Sequence, residues 1–123
     1  MGYVLVVDDD DSHRTLLRDM LSEMGYSTQA ASNGREALER ISAKAPDALV
    51  LDLRMPTLSG WGVLENLRRM GLSKLALIVI VSQGFEWEAK LVGAKGLFSK
   101  PFDLERVRAV AHDVLGPPQE EVP

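Results

Sequence analysis

Cysteine is absent from the 123 residues. Disulfides, thiolate metal sites and cysteine nucleophiles are therefore excluded, and a reducing compartment fits. Long apolar runs are also missing. The longest, Leu75 to Val81, is far too short to span a bilayer. No basic segment precedes the first apolar run, and that run stops against aspartates, a poor pattern for a signal peptide. The expectation is a cytoplasmic protein without a membrane partner. Positive charge is not in excess either. Lys and Arg number 14 against 18 Asp and Glu, for a net charge of -4, and no long basic run occurs. Direct nucleic acid binding by neutralisation of phosphates is not expected.

What remains is the mix of a globular domain, 46% hydrophobic and 26% charged, at a length suited to a single domain with its own core. Two kinds of segment alternate. Tyr3 to Val7 (YVLVV), Ala48 to Leu51 (ALVL) and Leu75 to Val81 (LALIVIV) are short continuous apolar runs, the pattern of strands covered on both faces. Tyr26 to Ala30 is more polar, as an edge strand can be, and Gly96 to Ser99 is a fifth candidate. Between them apolar residues recur at helical spacing. Leu17, Met20, Leu21 and Met24 precede Gly25. Ala37, Leu38 and Ile41 follow a capping Asn33. Val63, Leu64 and Leu67 end near Gly71, and a last helix begins after Asp103. The order β-α-β-α-β-α-β-(short α)-β-α implies a parallel sheet with helices on both faces. In such a fold the site lies beyond the carboxyl ends of the strands.

The residues in those places form a chemical set. Asp8, Asp9, Asp10 and Asp11 follow the first strand, Asp52 ends the third, Ser82 ends the fourth, and Lys100 follows the fifth. Carboxylates converging from two strands make a hard oxygen site suited to Mg²⁺, which would offset their mutual repulsion. An aspartate is also a nucleophile that can take a phosphoryl group as an acyl phosphate. A lysine and a hydroxyl would then balance and hold the transferred oxygens. Within the acidic run, Asp11 is expected to cap the first helix and Asp10 to be a solvated loop residue. His13 and His112 are expected at the helix surface or boundary, and the paired arginines Arg68-Arg69 and Arg106 with Arg108 as ordinary helix charge.

The ordered landmarks VLVVDDD, LDLRMPTLSG, VIVSQ and GLFSKPF, spread from Tyr3 to about Leu115, resemble the receiver domain of bacterial two-component response regulators. The resemblance implies a doubly wound, flavodoxin-like sheet of five parallel strands in order 2-1-3-4-5. It implies a receiver at residues 1–115 and a flexible tail or linker at 116–123. By resemblance Asp52 is the phosphoacceptor, served by a sensor histidine kinase or phosphotransfer protein. Asp8, Asp9, Asp52 and the backbone carbonyl of Arg54 match the Mg²⁺ ligands. Ser82 and Lys100 match the residues that follow and pair with the phosphoryl group. Lys100-Pro101 matches a cis peptide, and Met55-Pro56 with Gly60 match the loop after the acceptor. Output would pass to a downstream protein or effector domain, with phosphorylation-dependent dimerisation left open.

Three features depart from the family pattern. Leu97 stands three residues before Lys100, where an aromatic is usual. Phe98 beside it should face the opposite side of the strand and join the core. The interval from Ser82 to Gly93 is shorter than in the family by about one helical turn, leaving room only for a short or irregular fourth helix. Gln83 stands where a small residue is usual. Trp61 is expected to pack at a loop edge, and Trp87 either to fill the core in place of the missing turn or to meet a partner. These departures keep a second reading open, a pseudo-receiver acting as a protein-binding module with weak or no switching. A third, an aspartate-nucleophile phosphatase built on Asp8-x-Asp10, would place the phosphoryl group on Asp8 instead of Asp52.

Overall fold

The computed structural model describes residues 2–55, 58–72 and 74–117. Strands β1 (Val4–Val7), β2 (Thr28–Ala31), β3 (Ala48–Asp52), β4 (Ala76–Ser82) and β5 (Gly96–Lys100) alternate with helices α1 (Asp11–Glu23), α2 (Gly34–Ala43), α3 (Gly60–Arg69), α4 (Trp87–Leu91) and α5 (Leu104–Leu115). The strands are all parallel, in order β2-β1-β3-β4-β5. Strand ends differ from expectation by one or two residues. The second strand starts at Thr28, because Gly25, at φ 98, closes α1 and Tyr26 returns its amide to Leu21. The third and fifth strands run one residue further, to Asp52 and Lys100.

Alternation along the strands sorts the core into two layers. Leu5, Val7, Leu49, Leu51, Val79 and Val81 face α2, α3 and α4, meeting Ala37, Ile41, Val63, Leu67 and Ala89. Val4, Val6, Val50, Ile78 and Ile80 face α1 and α5, meeting Leu17, Met20, Leu21, Val107 and Ala111. Phe98 is buried in this second layer, and Leu97 packs against the first. That division is why the central strands read as continuous apolar runs. A fully buried Leu or Val contributes about 1.5–3 kcal/mol, so a one-residue slip would forfeit both layers at once.

Helix starts are fixed by side chains. Asn33 accepts from the Glu36 amide, Ser59 from Gly62, and Asp103 from Glu105 and Arg106. At α1 the cap is Asp10, not Asp11. Asp10 has extended backbone and its carboxylate accepts from the His13 amide, whereas Asp11 is already helical and pairs with Arg14. Only Asp8 and Asp9 bridge strand and cap, and the Asp8 carboxylate accepts from the Asp10 amide, which turns the chain into the helix at that point. α4 is five residues long and its leading residue, Glu86, makes no capping hydrogen bond. Trp87 is 60% exposed there, which overturns its reading as core filler. Ala89 points inward from the short helix instead, and the indole lies on the opposite side. Trp61 sits at the solvent edge of α3, and His112 is exposed on α5. Arg68 and Arg69 pair with Glu65 on the surface of α3. No described helix is long and apolar enough to cross a membrane. Pro56 and residues 118–123, to which part of the expected loop and most of the expected tail belong, lie outside the described residues.

Candidate functional site

The helices after β1 and β3 pack on opposite faces of the sheet, so a crevice opens between these neighbouring strand ends. Asp8 and Asp9 follow β1, and Asp52 is the last residue of β3. Asp8 is fully buried, Asp52 is 4% exposed, and Asp9 faces solvent. The three carboxylates each offer an oxygen within 4.8 Å of the others.

The two buried carboxylates are held alike. One oxygen of each accepts from a backbone amide two residues on, Asp8 Oδ1 from Asp10 at 3.0 Å and Asp52 Oδ1 from Arg54 at 2.9 Å. The second oxygen of each turns to the same ammonium. Lys100 Nζ lies 3.3 Å from Asp52 Oδ2 and 3.4 Å from Asp8 Oδ2. Lys100 ends β5, pairs in register with Ser82 at the end of β4, and is followed by a cis peptide to Pro101. Ser82 is exposed on the same rim. Gly60 permits the tight packing behind Asp52: a Cβ there would lie 2.5 Å from the Asp52 carbonyl oxygen and 2.6 Å from Leu53 Cα. The start of α3 thereby lies against the strand that carries Asp52.

One lysine does not neutralise three carboxylates. Burial pushes the Asp52 carboxyl up to about 7, and the Asp8 charge adds to this, against the Arg54 amide and Lys100. Burial also works against the charge of Lys100, but Asp52 and Asp8 outweigh it and hold the ammonium above its usual range. Asp8 Oδ2 is buried and accepts no hydrogen bond from the described residues. A buried oxygen without a hydrogen bond, which shares its one ammonium with Asp52 and lies beside Asp9, fits a hard divalent cation, and the donor set is all oxygen.

The structure thus brings Asp8, Asp9, Asp52 and Lys100 together, places Ser82 on their rim, and sets the Arg54 backbone against Asp52. Three neighbours lacked a readable signal. His13 is half-buried, its ring 5.1 Å from Phe102 and its Nδ1 3.6 Å from Asp10 and 4.0 Å from Asp8. It is a boundary residue, as expected, but one that borders the acidic cluster. Glu88 is buried on α4 and accepts from Arg54 Nη2 at 3.0 Å. Phe85 lies under the same guanidinium, 4.7 Å from its Cζ. Arg54 and Glu88 are 34 residues apart, and a glutamate among the polar residues of a short helix looks like any solvated charge.

A family model described as the response regulator receiver domain matches residues 4–112. The response regulator MprA of Mycolicibacterium vanbaalenii is 42% identical over 109 residues, covering 86% of this chain and 47% of that protein. MprA of Mycobacterium tuberculosis matches to the same extent. The chain spans about half the length of these curated relatives. Among solved structures, the chemotaxis protein CheY4 of Vibrio cholerae superposes with a TM-score of 0.80 at 30% identity, covering 93% of this chain and 98% of that one. The receiver domain of NtrX from Brucella abortus gives 0.81 at 30%, covering 91% and 97%.

Proposed function

Because this chain belongs to the response regulator receiver domain family, we propose that it is a phosphoacceptor switch whose acceptor is Asp52. The observation that carries this reading is the pose of Asp52, one oxygen on the Arg54 amide and the other on Lys100, beside Asp8 and Asp9. The donor is a phosphohistidine of a sensor histidine kinase or phosphotransfer protein. A carboxylate oxygen of Asp52 attacks phosphorus, the P–N bond breaks, and its electron pair stays on the imidazole nitrogen. The nucleophile is already an anion when ionised, so no general base is required. Lys100 balances charge on the transferred group, and the Ser82 hydroxyl donates to one of its oxygens. Asp8, Asp9, Asp52 and the Arg54 carbonyl are the residues that would hold Mg²⁺. When bound, the ion supplies positive charge that keeps Asp52 ionised near neutral pH and offsets charge on the phosphoryl oxygens.

The receiver comprises residues 1–115, with 116–123 a tail or linker, and it works in the cytoplasm. Its output goes to a downstream protein or effector domain through the β4-α4-β5 side, without contact to nucleic acid. The five-residue α4 and Leu97 support a second reading, a protein-binding module that switches weakly. Incubation with acetyl phosphate and Mg²⁺, followed by intact-mass and peptide mapping, separates the readings. The switch predicts a Mg²⁺-dependent gain of one phosphoryl group on Asp52, lost in Asp52→Ala. No gain would leave the binding module, and a phosphoryl group on Asp8 would revive the phosphatase.

A further inference from the structure

Glu88 is a buried carboxylate outside the acidic cluster, with its side chain only 5% exposed. Its ion-pair partner is the side chain of Arg54, whose backbone amide holds Asp52. The guanidinium is itself 55% exposed and rests over Phe85. Water can therefore replace the partner of Arg54 if the guanidinium leaves, while Glu88 is too buried to be solvated in its place. The segment that carries Glu88 is weakly anchored. α4 has five residues and no side-chain cap, and Gly84 before it sits at φ 95. Its ties to the rest of the chain are the Gln83 amide on the Lys100 carbonyl, the Phe85 amide on Ser82, the Glu86 carboxylate accepting from the Ser99 hydroxyl, the packing of Ala89 and Val92 on the core, and the Glu88–Arg54 pair.

We propose that Arg54 is a two-position residue of the phosphorylation site, parked on Glu88 while Asp52 is free and drawn to the phosphoryl oxygens once Asp52 carries them. This rests on the proposed role of Asp52. A phosphoryl group brings more negative charge than a carboxylate and three acceptor oxygens, which a planar guanidinium matches in fork geometry. Departure of Arg54 strands Glu88 as an unpaired buried charge, and the weakly anchored segment around α4 opens to hydrate it. The side presenting Phe85, Trp87 and Leu91 is thereby remodelled by an event at Asp52. Because the coupling is reciprocal, weakening the Glu88 pair must strengthen phosphoryl binding.

The test compares the wild type with Glu88→Gln, which keeps the volume and removes the charge. Acetyl phosphate labelling with mass mapping first reports whether Asp52 is modified. Affinity for trifluoroberyllate with Mg²⁺, a phosphoryl mimic, is then measured by calorimetry. Amide exchange is followed at Phe85, Glu88, Ala89 and Val92 with and without the mimic. In the wild type the mimic should speed exchange at these amides by roughly 5-fold or more. In Glu88→Gln, which has no buried charge to strand, exchange at these amides should not respond to the mimic, and the mimic should bind roughly 5-fold or more tighter. Equal or weaker binding to Glu88→Gln, or unchanged wild-type exchange on a chain that does label at Asp52, overturns the proposal and leaves the acceptor role standing. If Glu88→Gln fails to fold, the wild-type exchange result decides alone. Absence of any labelling overturns both.

Discussion

Replacing Asp52 with asparagine should stabilise the protein, and the gain should grow with pH. In the fold Asp52 loses its proton near 7 instead of at the usual 3.8, chiefly because it is buried and then because Asp8 is charged nearby. Between those two values the folded chain holds a proton that the unfolded chain has released. The raised value means that the cost of ionising Asp52 is absent below about pH 3.8, accumulates as pH rises, and is complete above about 7. Each pH unit between the two is worth about 1.4 kcal/mol, so the cost reaches roughly 4 kcal/mol at pH 8 and is roughly 1.7 kcal/mol at pH 5. Asparagine matches the shape and escapes this cost, while Lys100 keeps Asp8 as a partner at 3.4 Å. The difference in unfolding free energy between Asp52→Asn and wild type should therefore widen by roughly 2–3 kcal/mol between pH 5 and pH 8. Urea unfolding in EDTA at the two pH values measures it, and carboxylates away from the cluster cancel in the difference. A gain that does not vary with pH, or a variant less stable than wild type at pH 8, would refute this electrostatic account of the cluster.

The remaining expectations concern the cap, the tight packing and the cation. Asp10→Ala should lower the Tm by roughly 2–5 °C through loss of the α1 cap, and Asp11→Ala by clearly less, which thermal melts will rank. Gly60→Ala drives a Cβ into the backbone behind Asp52 and should cost about 2–3 kcal/mol in urea unfolding. Mg²⁺ at about 100-fold its Kd should stabilise the wild type by about 2.7 kcal/mol, and Asp9→Asn should lose most of that gain in melts run with and without the ion.

The parallel sheet was readable because its three inner strands are apolar on both faces, a pattern that solvent-facing strands do not produce. The convergence of Asp8, Asp9, Asp52 and Lys100 followed from position, since residues at the ends of β1, β3 and β5 must share a rim. Errors arose where one residue of local geometry decided the outcome. Asp10 and Asp11 are equally good caps by type, and only the two-residue bridge from Val7 selects Asp10. Trp87 is apolar enough for the core, but α4 has one inward face and Ala89 takes it. The Arg54–Glu88 pair was not legible, because it depends on how the chain between β4 and β5 folds back over the β3 end. The nearness of His13 to Asp8 depends likewise on the helix phase that the Asp10 cap imposes.

β5 is the border strand of the sheet, hydrogen-bonded on one side to β4. Lys100, at its end, reaches over β4 to carboxylates on β3 and beyond β1, so one ammonium acts as a cross-brace over four strands. Neighbouring strands lie about 4.8 Å apart, so the lysine stem and the aspartate side chain reaching toward it together bridge roughly 10 Å. Neutralising the carboxylates in acid slackens the brace and leaves the border strand to its ladder with β4 and its packing on α5. The outer edge of the sheet is thereby tied to the charge state of its centre. Fraying of β5, and the exposed strand edge that invites pairing with another chain, should first appear when the centre loses its negative charge.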